Sequence, residues 1–171
     1  EFLVHNLSEK LKFMKERCMS TNSIIIIERS IATESHVFIK SLYDCDMISI
    51  VTYNSCLSLV TQISEIFEIM QQITQTITYI YMRTDPTDLY ESLISHGMYD
   101  CLNYKLLLAI HNNYEHFINI ISHDNSGNKY VVCVDVSYDH IFKPGANLVK
   151  AALKRLQTIY PALQKEPGDN P

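Results

Sequence analysis

Four consecutive isoleucines, Ile24-Ile25-Ile26-Ile27, run directly into Glu28-Arg29-Ser30. β-Branched side chains on both faces of a strand must be covered on both faces, and that places residues 24–27 in the middle of an α/β sheet. Ligands of such sheets bind in the crevice beyond the carboxyl ends of the strands. Glu28 and Arg29 therefore stand where an acid and a base meet a polar substrate.

The rest of the chain alternates in the way such a sheet requires. Residues 76–82 (TITYIYM) and 130–136 (YVVCVDV) read as two further strands. Residues 2–17 form an amphipathic helix, with Phe2, Leu3, Leu7, Leu11 and Met14 near helical spacing. Helices are also expected over 32–43, 86–95, 102–121 and 145–159, with Pro86 in a first turn and His96-Gly97 as a stop. Residues 47–70 are apolar for too long to be a strand and read as helix, despite much Ile, Val and Thr. Residues 20–23 and 124–128 are turns. Strands alternating with helices imply a doubly wound, three-layer α/β/α domain with a parallel sheet over 1–160, and 161–171 as a loose tail.

Composition removes several function classes. The net charge of −5 comes without any basic block, so generic binding to nucleic acid or an anionic membrane surface is not expected. No apolar stretch is long enough to span a bilayer, and no signal peptide opens the chain. Cys18, Cys45, Cys56, Cys101 and Cys133 are odd in number and widely spaced. Neither a zinc site nor a disulfide framework follows, and a reducing compartment, cytoplasmic or mitochondrial, fits best. Cys133 lies in an apolar run and reads as a small core residue. His111 and His116 are five apart on a helix, do not share a face, and read as surface residues. No GxGxxG, GxxxxGK[ST], nucleophile elbow or HExxH occurs.

One ordered set of motifs stands out. Glu28-Arg29-Ser30-Ile31-Ala32-Thr33-Glu34, followed by Val37-Phe38 and Leu42-Tyr43, resembles the strand-plus-Glu-Arg-Ser motif of the deoxynucleoside kinase family. Tyr79-Ile80-Tyr81-Met82-Arg83-Thr84-Asp85-Pro86 looks like that family's "IYLRTxPE" strand end, and His111-Asn112-Asn113-Tyr114-Glu115 is similar to its "LHxxYE" helix. The resemblance implies a P-loop-kinase-like fold that transfers the ATP γ-phosphate, with Mg²⁺, to the 5′-hydroxyl of a deoxynucleoside. By the same resemblance Glu28 helps hold Mg²⁺ and Arg29 lies beside the 5′-hydroxyl. Glu34 recognises the base, Glu115 accepts the sugar 3′-hydroxyl, and Lys10 falls where a base-pocket arginine sits. A homodimer through the helices 2–17 and 47–70 would be family-like. The residue types suit the roles: a guanidinium offers planar charged donors to phosphate, and a carboxylate is a hard-oxygen ligand for Mg²⁺.

The chain also departs from the pattern. The P-loop and the catalytic carboxylate of the family precede the position of Phe2, and no such motif occurs in these residues. Leu3 stands where a base-pairing Gln is expected. Ser92, His96 and Met98 stand at the positions of the lid arginines, and no arginine occurs between Arg83 and Arg155. The chain thus reads as the carboxyl-terminal part of a deoxynucleoside kinase, without its first βαβ portion and inactive alone. Its rivals are a non-catalytic kinase-like accessory subunit and a nucleoside-binding module without transfer chemistry.

Overall fold

A computed structural model of the chain describes residues 29–71, 77–97, 103–124 and 129–136, together with Glu9, Lys12, Lys154, Leu156 and Thr158. Among these residues the protein is mixed α/β, with four helices and a two-stranded parallel sheet. The isoleucine strand 24–27 and most of the helix expected over 2–17 lie outside the described residues, though Glu9 and Lys12 are helical and exposed. Lys154, Leu156 and Thr158 are helical, within the helix expected over 145–159. Among the described residues no helix is long and apolar enough to cross a membrane. The chain divides into two compact units, Glu1–Ile77 with Lys105–Ile120, and Thr78–Tyr104 with Ile121–Pro171.

In the first unit, helix α1 is continuous but irregular. It opens as α-helix over Ile31–Thr33, passes through a π-helical segment at Glu34–Ile39, and closes as α-helix over Lys40–Asp44. Ser30 caps it, its Oγ accepting the Thr33 amide at 3.1 Å. Three hydroxyls then donate back to carbonyls of the preceding turn: Thr33 to Ser30, Ser35 to Ala32, and Ser41 to Val37 at 2.6 Å. Such back-bonding competes with the regular ladder and bends helices. The wider π turn also re-phases the side chains. Val37 and Ile39 are consequently buried, whereas Phe38 and Leu42, expected on the core face, are only half-buried.

Helix α1 stops without a glycine. The Met47 amide donates to the Leu42 carbonyl at 2.9 Å and the Asp46 amide to Tyr43 at 3.0 Å, with Asp46 at φ +59°. This is the paired 6→1 and 5→2 closure of a helix by a left-handed residue, with Asp in place of the usual Gly. The turn takes up Met47, so helix α2 runs over Ile50–Gln71 rather than from 47. Ser49 Oγ accepts the Thr52 amide at its start. Helix α2 packs along α1 and buries Val60, while Tyr53 stacks on Tyr43 with ring centroids 4.5 Å apart.

In the second unit, strands β1 (Ile77–Arg83) and β2 (Lys129–Asp135) lie in parallel, one residue from the ranges read in the sequence. Their carboxyl ends are joined: the Val136 amide donates to the Arg83 carbonyl at 2.7 Å, and Thr84 Oγ1 donates to the Val136 carbonyl at 3.0 Å. Val132, Val134 and Val136 are buried with period two, and on β1 Tyr81 is buried between the exposed Ile80 and Met82; Tyr130, in phase with the valines, is exposed near the start of β2. Cys133 falls between the buried Val132 and Val134, on the alternate phase of the strand, and is half-buried rather than a core residue. Helix α3 (Pro86–Ser95) starts at Asp85, whose carboxylate accepts the Thr87 amide at 2.8 Å, with Pro86 in the first turn. It ends at His96 and Gly97, the latter at φ +78°, where only glycine is unstrained. Helix α4 (Tyr104–Ser122) supplies Lys105–Ile120 to the first unit.

Candidate functional site

The first motif and the "LHxxYE"-like helix meet inside the first unit, along one row of contacts between α1 and α4. The Arg29 guanidinium carbon lies 4.4 Å from the centroid of Phe38. Phe38 in turn meets Tyr114 edge-to-face, with centroids 5.8 Å apart and rings at 88°. Two residues back on α1 and three residues on along α4, His36 stacks on Phe117 at 5.5 Å. On the other side, Asn113 Nδ2 donates to Ser41 Oγ at 3.0 Å and to Asp44 Oδ2 at 3.1 Å, while Lys40 Nζ grips the same carboxylate at 2.8 Å. Ser41 is fully buried and Asn113 nearly so. A buried amide satisfied by two partners on the neighbouring helix fixes the register of α4 against α1.

Arg29 itself is exposed and sits at φ +60°. L-residues other than Gly, Asn and Asp rarely hold that conformation, and surrounding structure must over-determine it. Here the Ser30 cap on one side and the Phe38 ring on the other do so. Glu34 is buried, with only 5% of its surface exposed, inside the π-helical segment. π-Helical segments recur at functional sites. Glu115 is half-buried on α4, one residue after Tyr114. Glu28 and Lys10 lie outside the described residues.

Burial, and after it the charge of His116, push the His36 imidazole below its ordinary pKa. Burial raises the pKa of Asp44, but hydrogen bonds from Lys40 and Asn113 and the charge of Lys40 outweigh it and hold the carboxyl below the usual range. Of the two histidines expected at the surface, His116 is exposed, whereas His111 is half-buried.

Ser92 and His96, expected from the sequence to stand at lid-arginine positions, lie in the second unit, as does Arg83. Arg83 Nε pairs with Asp135 Oδ1 at 2.7 Å. Ser92 is buried, its hydroxyl without a hydrogen-bond partner among the described residues, and its carbonyl is taken by the His96 amide and ring nitrogen. Among the described residues, no three His, Cys, Asp or Glu side chains gather as metal ligands. A small buried hydroxyl and a histidine facing its own helix end do not make a triphosphate clamp.

The sequence pattern contained Phe38, Tyr114 and Glu34 as members of motifs but not their arrangement. The Asn113–Ser41–Asp44 network was not legible at all. Comparisons of the chain with protein-family models, with curated proteins and with solved structures return no match.

Proposed function

We propose that this chain is the nucleoside-side, carboxyl-terminal portion of a deoxynucleoside-kinase-like protein, a P-loop-kinase-like three-layer α/β/α fold without its first βαβ portion. Arg29 attends the 5′ end of a deoxynucleoside, Glu115 accepts the 3′-hydroxyl, and Glu34 and Lys10 face the base. Glu28 takes the Mg²⁺ of ATP when a phosphate-binding loop is present. The reading rests on the ordered motifs of the sequence. The observation that supports it most is the row Arg29–Phe38–Tyr114, which brings residues of two of those motifs together. Glu34, from the first of these motifs, is buried in the π-helical segment of α1.

The alternative is a non-catalytic kinase-like accessory subunit, in a homodimer or larger intracellular assembly. The burial of Ser92 at a lid-arginine position favours it. Both readings predict that the 171 residues alone do not phosphorylate deoxynucleosides with ATP and Mg²⁺, since phosphoryl transfer needs a cradle for the phosphates. Isothermal titration calorimetry with the four deoxynucleosides separates them. The first expects binding that Glu115→Ala weakens by roughly tenfold or more, the worth of a charge-assisted hydrogen bond. Absence of binding to all four sinks it. Phosphate transfer that disappears on Arg29→Ala would overturn the inactivity of the chain.

A further inference from the structure

The seam between α1 and α4 contains one strongly directional contact. Asn113 Nδ2 donates both of its protons across it, to Ser41 Oγ at 3.0 Å and to Asp44 Oδ2 at 3.1 Å. Each acceptor is itself held. The Ser41 hydroxyl proton goes to the Val37 carbonyl at 2.6 Å, which leaves its lone pairs for the amide. Lys40 Nζ holds both oxygens of Asp44, at 2.8 and 2.9 Å. Ser41 and Asp44 are three residues apart on the α-helical end of α1, about 4.5 Å along its axis. Two attachments at that spacing fix both the slide of α4 along α1 and its rotation at this point. Apolar packing beside them is non-directional, whereas a hydrogen bond weakens steeply as it leaves its preferred angle.

Glu115 follows Asn113 by two residues on the same helix, about 3 Å further along its axis, so whatever fixes Asn113 fixes the Glu115 backbone. The site read from the motifs draws on both helices: Arg29 precedes α1 and Glu34 lies in it, whereas Glu115 lies on α4. A ligand held by α1 meets Glu115 only if α4 keeps its register. We infer that Asn113 is a positioning residue for Glu115, holding α4 where that carboxylate meets the 3′-hydroxyl of a deoxynucleoside held by α1. The inference rests on the deoxynucleoside reading for its ligand and on the Asn113 network for its geometry. Its consequence is selectivity, because the contact at stake is made by the 3′-hydroxyl alone. A ligand without that group does not sense the register.

The test has two readouts on the full chain. In NMR spectra of the free protein, the Asn113 side-chain amide protons are expected to exchange slowly with water, because both are donated and the residue is only 9% exposed. Rapid exchange overturns the network without recourse to any ligand. Calorimetry with the four 2′-deoxynucleosides and their 2′,3′-dideoxy counterparts reads the role. The wild type is expected to prefer the 2′-deoxy form by roughly tenfold or more, the worth of a charge-assisted hydrogen bond. Asn113→Ala is expected to cut that preference to about threefold or less, with affinity for the dideoxy form within about twofold of the wild type. Asp44→Ala leaves the Ser41 bond in place and is expected to fall between the two. Asp44→Asn keeps an acceptor for the amide and is expected to retain the preference. In a Glu115→Ala background Asn113→Ala is expected to cost nothing more, because a residue that acts through another has no effect once that other is gone. An unchanged preference in Asn113→Ala, or an equal loss for both ligand forms, makes Asn113 a structural residue only and overturns the inference. A further loss in the Glu115→Ala background does the same. If Asn113→Ala does not fold, Asp44→Ala carries the test, and an unchanged preference there overturns the inference. A wild type that binds both forms equally removes the 3′-hydroxyl role of Glu115 and the inference with it. A wild type with slowly exchanging Asn113 protons that binds neither form overturns the deoxynucleoside reading, and the positioning role falls with it.

Discussion

Replacing Asn113 with alanine tests the contact on which the α1–α4 arrangement depends. The substitution removes two hydrogen bonds, to Ser41 Oγ and to Asp44 Oδ2. A bond to a charged acceptor contributes about 1.5–3 kcal/mol and a neutral one about 0.5–1.5 kcal/mol. The Asp44 side chain is 34% exposed and keeps its contact with Lys40, so solvent screening puts the first bond near its lower bound. Ser41 still donates to the Val37 carbonyl, so no buried hydroxyl proton is stranded. The sum is about 2–3 kcal/mol, and at about 2–4 °C per kcal/mol for a chain of this size Tm falls by roughly 4–12 °C. The assay is urea unfolding followed by circular dichroism, with amide exchange in α1 and α4 as the local readout. A loss below about 0.5 kcal/mol would refute the network's role. Asn113→Asp sharpens the test, since it sets a second carboxylate against Asp44. It is expected to be worse than Ala at pH 7, with the gap closing as the carboxylates protonate below about pH 4. The wild-type network runs the same way in sign. The folded Asp44 pKa is lowered, so its contribution is complete above the unfolded value near 4 and is lost as pH falls through the folded one.

Arg29 offers a backbone test free of ligand: Arg29→Gly and Arg29→Ala delete the same guanidinium, yet glycine fits φ +60° without strain. Arg29→Gly is therefore expected to be the more stable by about 1 kcal/mol in urea unfolding, and equal stabilities would contradict a left-handed Arg29. His36 is expected to titrate below its ordinary value near 6.5 in NMR, and His116→Ala to move it upward without reaching that value, because burial is the larger cause. Its lowered pKa means that its neutral form favours the fold. That contribution is complete above about pH 6.5 and is lost as pH falls through the folded value, and an unmoved His36 in His116→Ala would remove His116 as a cause.

Element type was legible in this chain where local chemistry decides it. Asp85-Pro86 announces the start of α3 and His96-Gly97 its end, because a cap, a fixed φ and a glycine act within a few residues. Strand β2 was legible as an apolar, β-branched run, but which alternate residues it buries was not. The end of α1 was read to within one residue, at Tyr43 against Asp44, but its closure by a left-handed Asp46 in place of glycine was not legible and shows in the two closing hydrogen bonds. The π-helical segment was hidden too. Ser and Thr are common in helices, and whether their hydroxyls take backbone carbonyls depends on how the segment is packed.

By itself, the sequence determined the alternation of helices and strands, the absence of a basic surface block, and a set of motifs with named polar residues. Those properties follow from neighbours along the chain, and a residue's type and spacing suffice for them. Only the tertiary structure decided that Arg29 rests on Phe38, that Tyr114 stands against that ring, and that Glu34 is buried. It also decided that Asn113 joins residues about 70 positions away. Such contacts depend on which face the re-phased α1 turns toward α4, and that is set by packing between segments far apart in sequence.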